Sequence, residues 1–464
     1  MAFIKNNIVG RVLSLVLVLF SSGCATFYQI NLEFNQKFEY GELNEANKVL
    51  DKNKKEAEKK ARFLYYTNKG VVESMLGNYE VSNEWLERAY IFGEDHTKKA
   101  GNVAASFLIN PGVLVYPGED HEHLILLYYK AMNYLKLDDR QSALVECRRL
   151  NNRLNALSDK YRSENKYRED AFIHNLMGII YEADGDYNNA FIAYRNAYTI
   201  YKDVYAEMFG VHAPDQLKKD LIRSAYLTGF TTEMDFYQRE FEMPDYQPTK
   251  PESELVFFWQ NGLGPVKDEW SFTFTTGGYS TGFYTFTDEF GQPYPVQCTQ
   301  AQANSLAGIS VVRIAFPKYN ERPPRFHEGY ISLDGKNYDL ELAENINLIA
   351  HKTLEERMAG EITKGILRFA LKKVLENQAR QQDEGLGLLV SIFNAATEKA
   401  DTRNWQTIPH SIFYTRIPLS IGTNHVQLNA VGNIDSRSEP FTFEVQQRGT
   451  IFHSYQSLES FAQQ

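Results

Sequence analysis

The segment NLMGIIYEADGDYNNAFIAYRNAY, residues 175–198, constrains the fold more than any other part of the chain. Gly178, Tyr181, Gly185, Tyr187, Ala190, Tyr194 and Ala197 fall where two short antiparallel helices need alternately small and large side chains. Gly178 and Ala190 let the two helices approach closely, and Tyr181 and Tyr194 fill the groove between successive pairs. Gly185-Asp186 supplies the turn, glycine being able to take positive φ without a steric penalty. A pair of this kind cannot bury its apolar face alone, so further copies must stack on it.

Degenerate copies are present. NKGVVESMLGNYEVSNEWLERAY aligns Gly70, Gly77, Tyr79, Leu86 and Ala89 with the same positions, with Glu73 and Ser82 as departures. YKAMNYLKLDDRQSALVECRRL aligns Ala131, Tyr134, Ala143, Cys147 and Leu150, and FEYGELNEANKVL offers Gly41, Leu43, Ala46 and Leu50. The pattern resembles the tetratricopeptide repeat (TPR) family, which implies a helical solenoid with a concave groove. The copies are more widely spaced than that family's period, so loops are inserted, chiefly across 93–122. PDQLKKDLIRSAYLTGF starts with Pro214-Asp215 and keeps a helical apolar period, as expected of a terminal capping helix.

The pattern changes after PDYQPTKPES, residues 244–253, whose three prolines mark a linker. ELVFFWQ, EWSFTFTT, GFYTFTDEF, GISVVRIAFP and FHEGYISLDG read as strands, and SIFYTRIPL, TNHVQLNAVG and PFTFEVQQ form a second group. A helical insert of about 341–402 separates them. The fold class expected is therefore multidomain α + β: an N-terminal all-α TPR-like solenoid over 24–243, then a β-sandwich-like domain over 254–464 carrying the insert.

At the N-terminus, Lys5 and Arg11 precede an apolar run, Val12 to Phe20, that is too short to cross a bilayer, which takes ~20 apolar residues. It reads as a signal peptide covering 1–23. Ser21-Ser22-Gly23-Cys24 resembles the lipobox of bacterial lipoproteins, although Ser21 stands where those proteins usually carry Leu. That resemblance implies that Cys24 is acylated and becomes the first mature residue, anchored in a membrane. Ala25 in place of Asp implies the periplasmic face of the outer membrane. Together with YPGEDHEHLILLYYKAMNYL, VVRIAFPKY and ATEKADTRNWQTIP, these features resemble a family of bacterial TPR lipoproteins. The resemblance implies architecture and location and assigns no chemistry.

Searching for chemistry yields little. With 59 acidic and 49 basic residues the net charge is −10, which lacks the basic footprint of a nucleic-acid binder. Cys147 and Cys298 belong to no CxxC and are expected to be unpaired thiols. Asp120-His121-Glu122-His123 is the densest group of metal-ligand types, but it opens a helix and reads as a solvated helix start. Glu355-Glu356-Arg357 reads as a solvated helix face, and Arg403 and Trp405 as a helix-end cap and a core anchor. No nucleophile elbow or phosphate loop is present, and no catalytic residue, cofactor or metal is assigned. Helical phase places Asn68, Lys130, Asn133, Asn175 and Glu182 in the groove as candidate contacts for an envelope protein or peptide. The leading expectation is a non-enzymatic envelope scaffold. A glycan reader using FFWQNGLGPVKDEWSFTF and a hydrolase with a dispersed site are the alternatives.

Overall fold

The structure is a computed structural model, and it describes residues 31–461 apart from 101–111, 113, 161–166, 168, 250, 308 and 383–398. Cys24 and residues 1–23, expected to be a signal peptide, lie outside the described residues.

The helical half is a series of antiparallel hairpins. A first helix, α1 (31–39), turns at Gly41, whose φ is +73°, into α2 (Leu43–Lys52) and the short α3 (Lys54–Lys60). Three hairpins follow: α4 (Arg62–Met75) with α5 (Tyr79–Ala100), α6 (Asp120–Lys136) with α7 (Arg140–Lys160), and α8 (Ala171–Ala183) with α9 (Tyr187–Ile200). A π-helical turn, Tyr201–Tyr205, and α10 (Ala206–Phe209) lead to α11 (Asp215–Thr228) and α12 (Thr231–Glu240). Pro214 precedes α11, as its sequence predicts.

The small residues do what their spacing requires, within a unit. A Cβ on Gly178 would sit 2.4 Å from the Tyr194 ring, and one on Gly70 would sit 2.5 Å from Leu86. Tyr194 therefore fills the space over its own hairpin's glycine, and in that respect departs from the expected position between units. The two glycines at the turns, Gly77 and Gly185, have φ of +84° and +79°.

Among the described residues the second half holds three four-stranded sheets, two of which make the expected sandwich. Sheet 1 runs β12 (Gly449–Ser457), β1 (Ser253–Asn261), β9 (Ser411–Leu419), β8 (Glu341–Asn345). Sheet 2 runs β11 (Ser436–Val445), β10 (Gly422–Gly432), β6 (Phe326–Leu333), β7 (Lys336–Asp339). These two do form a sandwich. Sheet 3 runs β4 (Pro293–Gln297), β3 (Phe283–Asp288), β2 (Val266–Ser280), β5 (Val311–Asn320). It packs with α13 (Gln300–Leu306) and with the long α14 (Ile346–Gln382), around Phe274, Phe286, Phe316 and Ile366. Residues 244–249 and 251–252 contain no helix or strand and deliver the chain to β1.

β1 decides how the layers assemble. All nine of its residues are buried, and successive side chains leave opposite faces of a strand. Leu255, Phe257 and Trp259 join the core between sheets 1 and 2. Val256 and Phe258 join the same core as the repeat helices, where Phe258 meets Phe172 edge-on at 6.1 Å. The molecule is thus helices on sheet on sheet, with sheet 1 in the middle. β1 lies parallel to the last strand, β12, and antiparallel to β9, so the chain's final segment completes the middle layer.

Because one core spans both halves, Phe258→Ala is expected to cost about 3–5 kcal/mol, the range for an emptied aromatic core site. Helical and sheet signals should be lost in one transition in guanidinium. Two separate transitions would show that the halves are energetically independent.

Candidate functional site

A TPR solenoid usually offers its inner face to a partner, so that face was the first candidate. Here the first helix of every hairpin touches the β-rich half. From α4, Asn68 Oδ1 accepts from Thr407 Oγ1 at 3.0 Å. From α6, Tyr129 donates to Gln456 at 3.0 Å and Tyr128 accepts from Gln260 at 3.0 Å. From α8 comes Phe172, already described against Phe258. At α11, the backbone N–H groups of Asp215 and Gln216 donate to the Glu341 carboxylate of β8 at 2.9 and 2.7 Å. Acceptors at a helix N-terminus are favoured by its unpaired N–H groups and positive dipole end.

The five candidate groove residues are all buried, and this corrects the expectation that they are open to a partner. Asn68 meets Thr407 in the segment before β9, while Asn175 lies beside Tyr414 and Glu182 is paired with Arg416, both of β9. Lys130 and Asn133 instead turn toward the second helices of the repeats. Lys130 is paired with Glu87 and with Glu146 (2.9 Å), and Asn133 donates to Ser82 (2.8 Å) and Asn83 (2.9 Å). The sheet that fills the groove comes from the other half of the chain, which no local helical phase encodes.

Glu182 anchors a buried charge network that joins the halves. It accepts from Arg223 of α11 at 2.7 and 2.9 Å, from Arg416 of β9 at 2.8 Å and from the Tyr194 hydroxyl at 2.8 Å. Arg416 also reaches Glu254 of β1 at 2.5 Å and Asp220 of α11 at 3.1 Å. Burial would push Glu182 up, but Arg416 and Arg223 more than reverse this and hold it well below the usual carboxylate range. None of Arg223, Arg416, Glu254 or Asp220 was singled out from sequence. The available signal was a charged residue within an apolar strand, Arg416 in SIFYTRIPL and Glu254 in ELVFFWQ. Arg416→Ala should destabilise the protein by about 3–5 kcal/mol, the range for breaking a buried pair. Denaturant titration measures it, and a loss under 1 kcal/mol would contradict this role.

The Asp120–His123 run does start α6, but it is buried where solvation was expected. Glu119 caps the helix reciprocally with Glu122 and is paired with Lys267 of β2 and Arg357 of α14. Burial alone would raise Glu119; those two cations bring it down to about 2. Glu355 is exposed, as expected of a solvated face, whereas Arg357 is partly covered and paired with Glu119, and Glu356 accepts from the Tyr167 N–H at 2.7 Å. No group of His, Cys, Asp and Glu among the described residues could hold a metal ion. Trp405 is fully buried with its indole N–H on Thr407 (2.7 Å), and Arg403 caps the α3 carbonyl of Lys60 (3.2 Å). Cys147 and Cys298 are free thiols.

Next to this run lies an internal cavity of about 30 Å³, bordered by His121, Tyr167, Asp170 and Glu344 among apolar side chains. Asp170 caps α8 through the Ile173 N–H (2.8 Å) and accepts from Tyr167 (2.8 Å); Glu344 of β8 accepts from Tyr205 (3.1 Å). The two carboxyls are hydrogen-bonded to each other across the joint between the halves. Burial raises both carboxyls, and the Asp170 charge raises Glu344 further, so the pair shares a proton. A carboxyl whose pKa is raised on folding gives stability that is complete below its unfolded pKa, about 4.3, and is lost as pH rises through the folded value. Glu344→Gln keeps a donor to Asp170 at every pH. Its stability relative to the natural protein should therefore grow from pH 5 to pH 9 in urea titrations; a constant offset would contradict the shared proton.

The open concavity lies on the outer side, between α5 and α7. This cleft of about 760 Å³ is bordered by Glu80, Glu84, Glu87, Arg88, Ile91, Val145, Glu146 and Arg149, with four others. Glu87 and Glu146 are neutralised by Lys130 and Arg149. Glu80 and Glu84 are exposed and have no ion partner among the described residues. Ile91 and Val145 are also exposed. In the glycan-reading stretch, Phe257, Phe258 and Trp259 are fully buried, and Trp270 alone of its tryptophans reaches the surface.

No protein-family model matches the chain, and no curated protein matches it in sequence. Solved structures do. BtubC (BKLC) from P. vanneervenii is similar at 15% identity over 52% of this chain and 90% of that one, with a TM-score of 0.34. MamA 41-end from Desulfovibrio magneticus RS-1 is 14% identical over 48% and 97%, with a TM-score of 0.29. A tetratricopeptide repeat protein from Parabacteroides merdae ATCC 43184 is 12% identical over 48% and 81%, with a TM-score of 0.22. The likeness is one of fold and covers about half of this chain.

Proposed function

We propose that this chain is a non-enzymatic TPR-type scaffold of the bacterial cell envelope, anchored to a membrane through lipid on Cys24, most simply on the periplasmic face of the outer membrane. The observation that carries the scaffold reading is the division of labour between the two sides of the solenoid. Its inner face is used to hold the β-rich half, and its outer face keeps an open cleft between α5 and α7. Glu80 and Glu84 beside Ile91 and Val145 suit a protein segment that presents basic residues next to apolar ones, bound as a helix or an extended stretch in a groove. Nothing in the cleft resembles a reacting centre: its acids are exposed or already paired.

The anchor reading rests on the Ser21-Ser22-Gly23-Cys24 ending and the short apolar run before it. Two or three acyl chains on one cysteine give persistent attachment, where a single chain binds only marginally.

Crosslinking in cells, followed by affinity capture from detergent extracts, tests both parts. The natural protein should incorporate labelled palmitate and sediment with membranes, and Cys24→Ser should do neither. Glu80→Lys with Glu84→Lys should reduce capture of the crosslinked partner at least tenfold while leaving the unfolding transition unchanged. Unchanged capture in the double variant would remove the cleft from the interface.

A further inference from the structure

We propose that Lys136 is a nucleophilic amine, placed by the joint between the two halves so that it can form an imine with a small carbonyl compound. Lys136 is the last residue of α6, and its side chain reaches over the edge strand β12. Nζ donates to Nδ1 of His453 at 3.0 Å and to the Ser454 carbonyl at 3.4 Å. Three buried lysines are each given a carboxylate: Lys69 has Asp51 at 2.9 Å, Lys130 has Glu146 at 2.9 Å, and Lys267 has Glu119. Lys136 has none among the described residues, and its nearest neighbour is an imidazole set in an aromatic wall. The His453 ring lies 5.3 Å from Phe257, 4.9 Å from Phe441 and 5.2 Å from Phe443.

An ammonium stripped of water and given no counter-charge is destabilised relative to the amine. Burial brings Lys136 down to about 7, and burial followed by the Lys136 charge holds His453 down at about 3. The groups facing Nζ are thus a neutral imidazole and a backbone carbonyl from β12; burial is the one influence on its titration, with no carboxylate or guanidinium from a neighbouring element acting on it. At pH 7 about half of such a lysine carries a free lone pair, against about 1 in 10³ for an ordinary lysine of pKa 10.4. Lys136 is also only partly covered, unlike Lys130 and Lys267, so a small electrophile can reach it. Desolvated lysines of this type are the ones that attack carbonyl carbon.

The chemistry balances with an aldehyde as the single partner. The Nζ lone pair adds to the carbonyl carbon, the former carbonyl oxygen takes up the proton that nitrogen releases, and loss of water leaves the imine. His453 acts as a positioning residue, holding Nζ through Nδ1 without itself becoming charged.

Reductive methylation of the folded full-length chain tests the inference. Trace isotopic formaldehyde forms the imine, added cyanoborohydride delivers hydride to its carbon, and peptide mass spectrometry reads each lysine from pH 6.5 to 9. At pH 7 Lys136 should react at least tenfold faster than Lys48, a highly exposed lysine paired only at the surface. Its rate should level off above about pH 8, while the Lys48 rate keeps rising about tenfold per pH unit. Unfolding in guanidinium should erase the difference. A Lys136 rate that climbs in parallel with that of Lys48, or no labelling of Lys136 in the folded chain, would overturn the proposal.

Discussion

Strand β1 carries large apolar side chains on both faces, and a strand of that kind has a stable place only between two layers. Val256 and Phe258 require a partner on one side, and Leu255, Phe257 and Trp259 require another on the other. The second sheet supplies one cover. The concave face of the helical repeats supplies the other, and most of the remaining architecture follows from that docking. It brings β12 back beside β1, sets α6 against the sheet edge, and places the first helix of each hairpin in contact with the β-rich half.

Burying so broad a joint also encloses charge, and the protein neutralises it locally. Arg416 and Arg223 are shared among Glu182, Asp220 and Glu254; Lys267 and Arg357 converge on Glu119; Asp170 and Glu344 share a proton. Each cluster takes members from both halves of the chain. A buried ion left without its partner is far costlier than one never buried, so these clusters fix the register in which the halves can close. The concave face of the helical repeats is thereby committed to the chain's own sheet, and the open cleft that remains lies between α5 and α7.

Much of the architecture was legible in the chain. Gly178 beneath Tyr194, and Gly70 beneath Leu86, identify close-packed hairpins because only a missing Cβ allows that approach. Period-two alternation marks the strands, and Pro214 marks the start of α11. The misjudged places share one cause. His121, Glu122, Asn133 and Glu182 are polar residues on helices, and their default reading is exposure. Each is buried by an element distant in sequence, which no local pattern encodes.

By itself the sequence determined the helical hairpins and the switch to strands near residue 253, because these depend on local spacing and side-chain volume. Tertiary structure alone decided that, among the described residues, the strands form three sheets, the groove is filled by the chain itself, and Lys136 stands without a counter-ion. Those outcomes turn on which distant surfaces meet and how much water they exclude, and desolvation is a property of the assembled layers that no single segment carries.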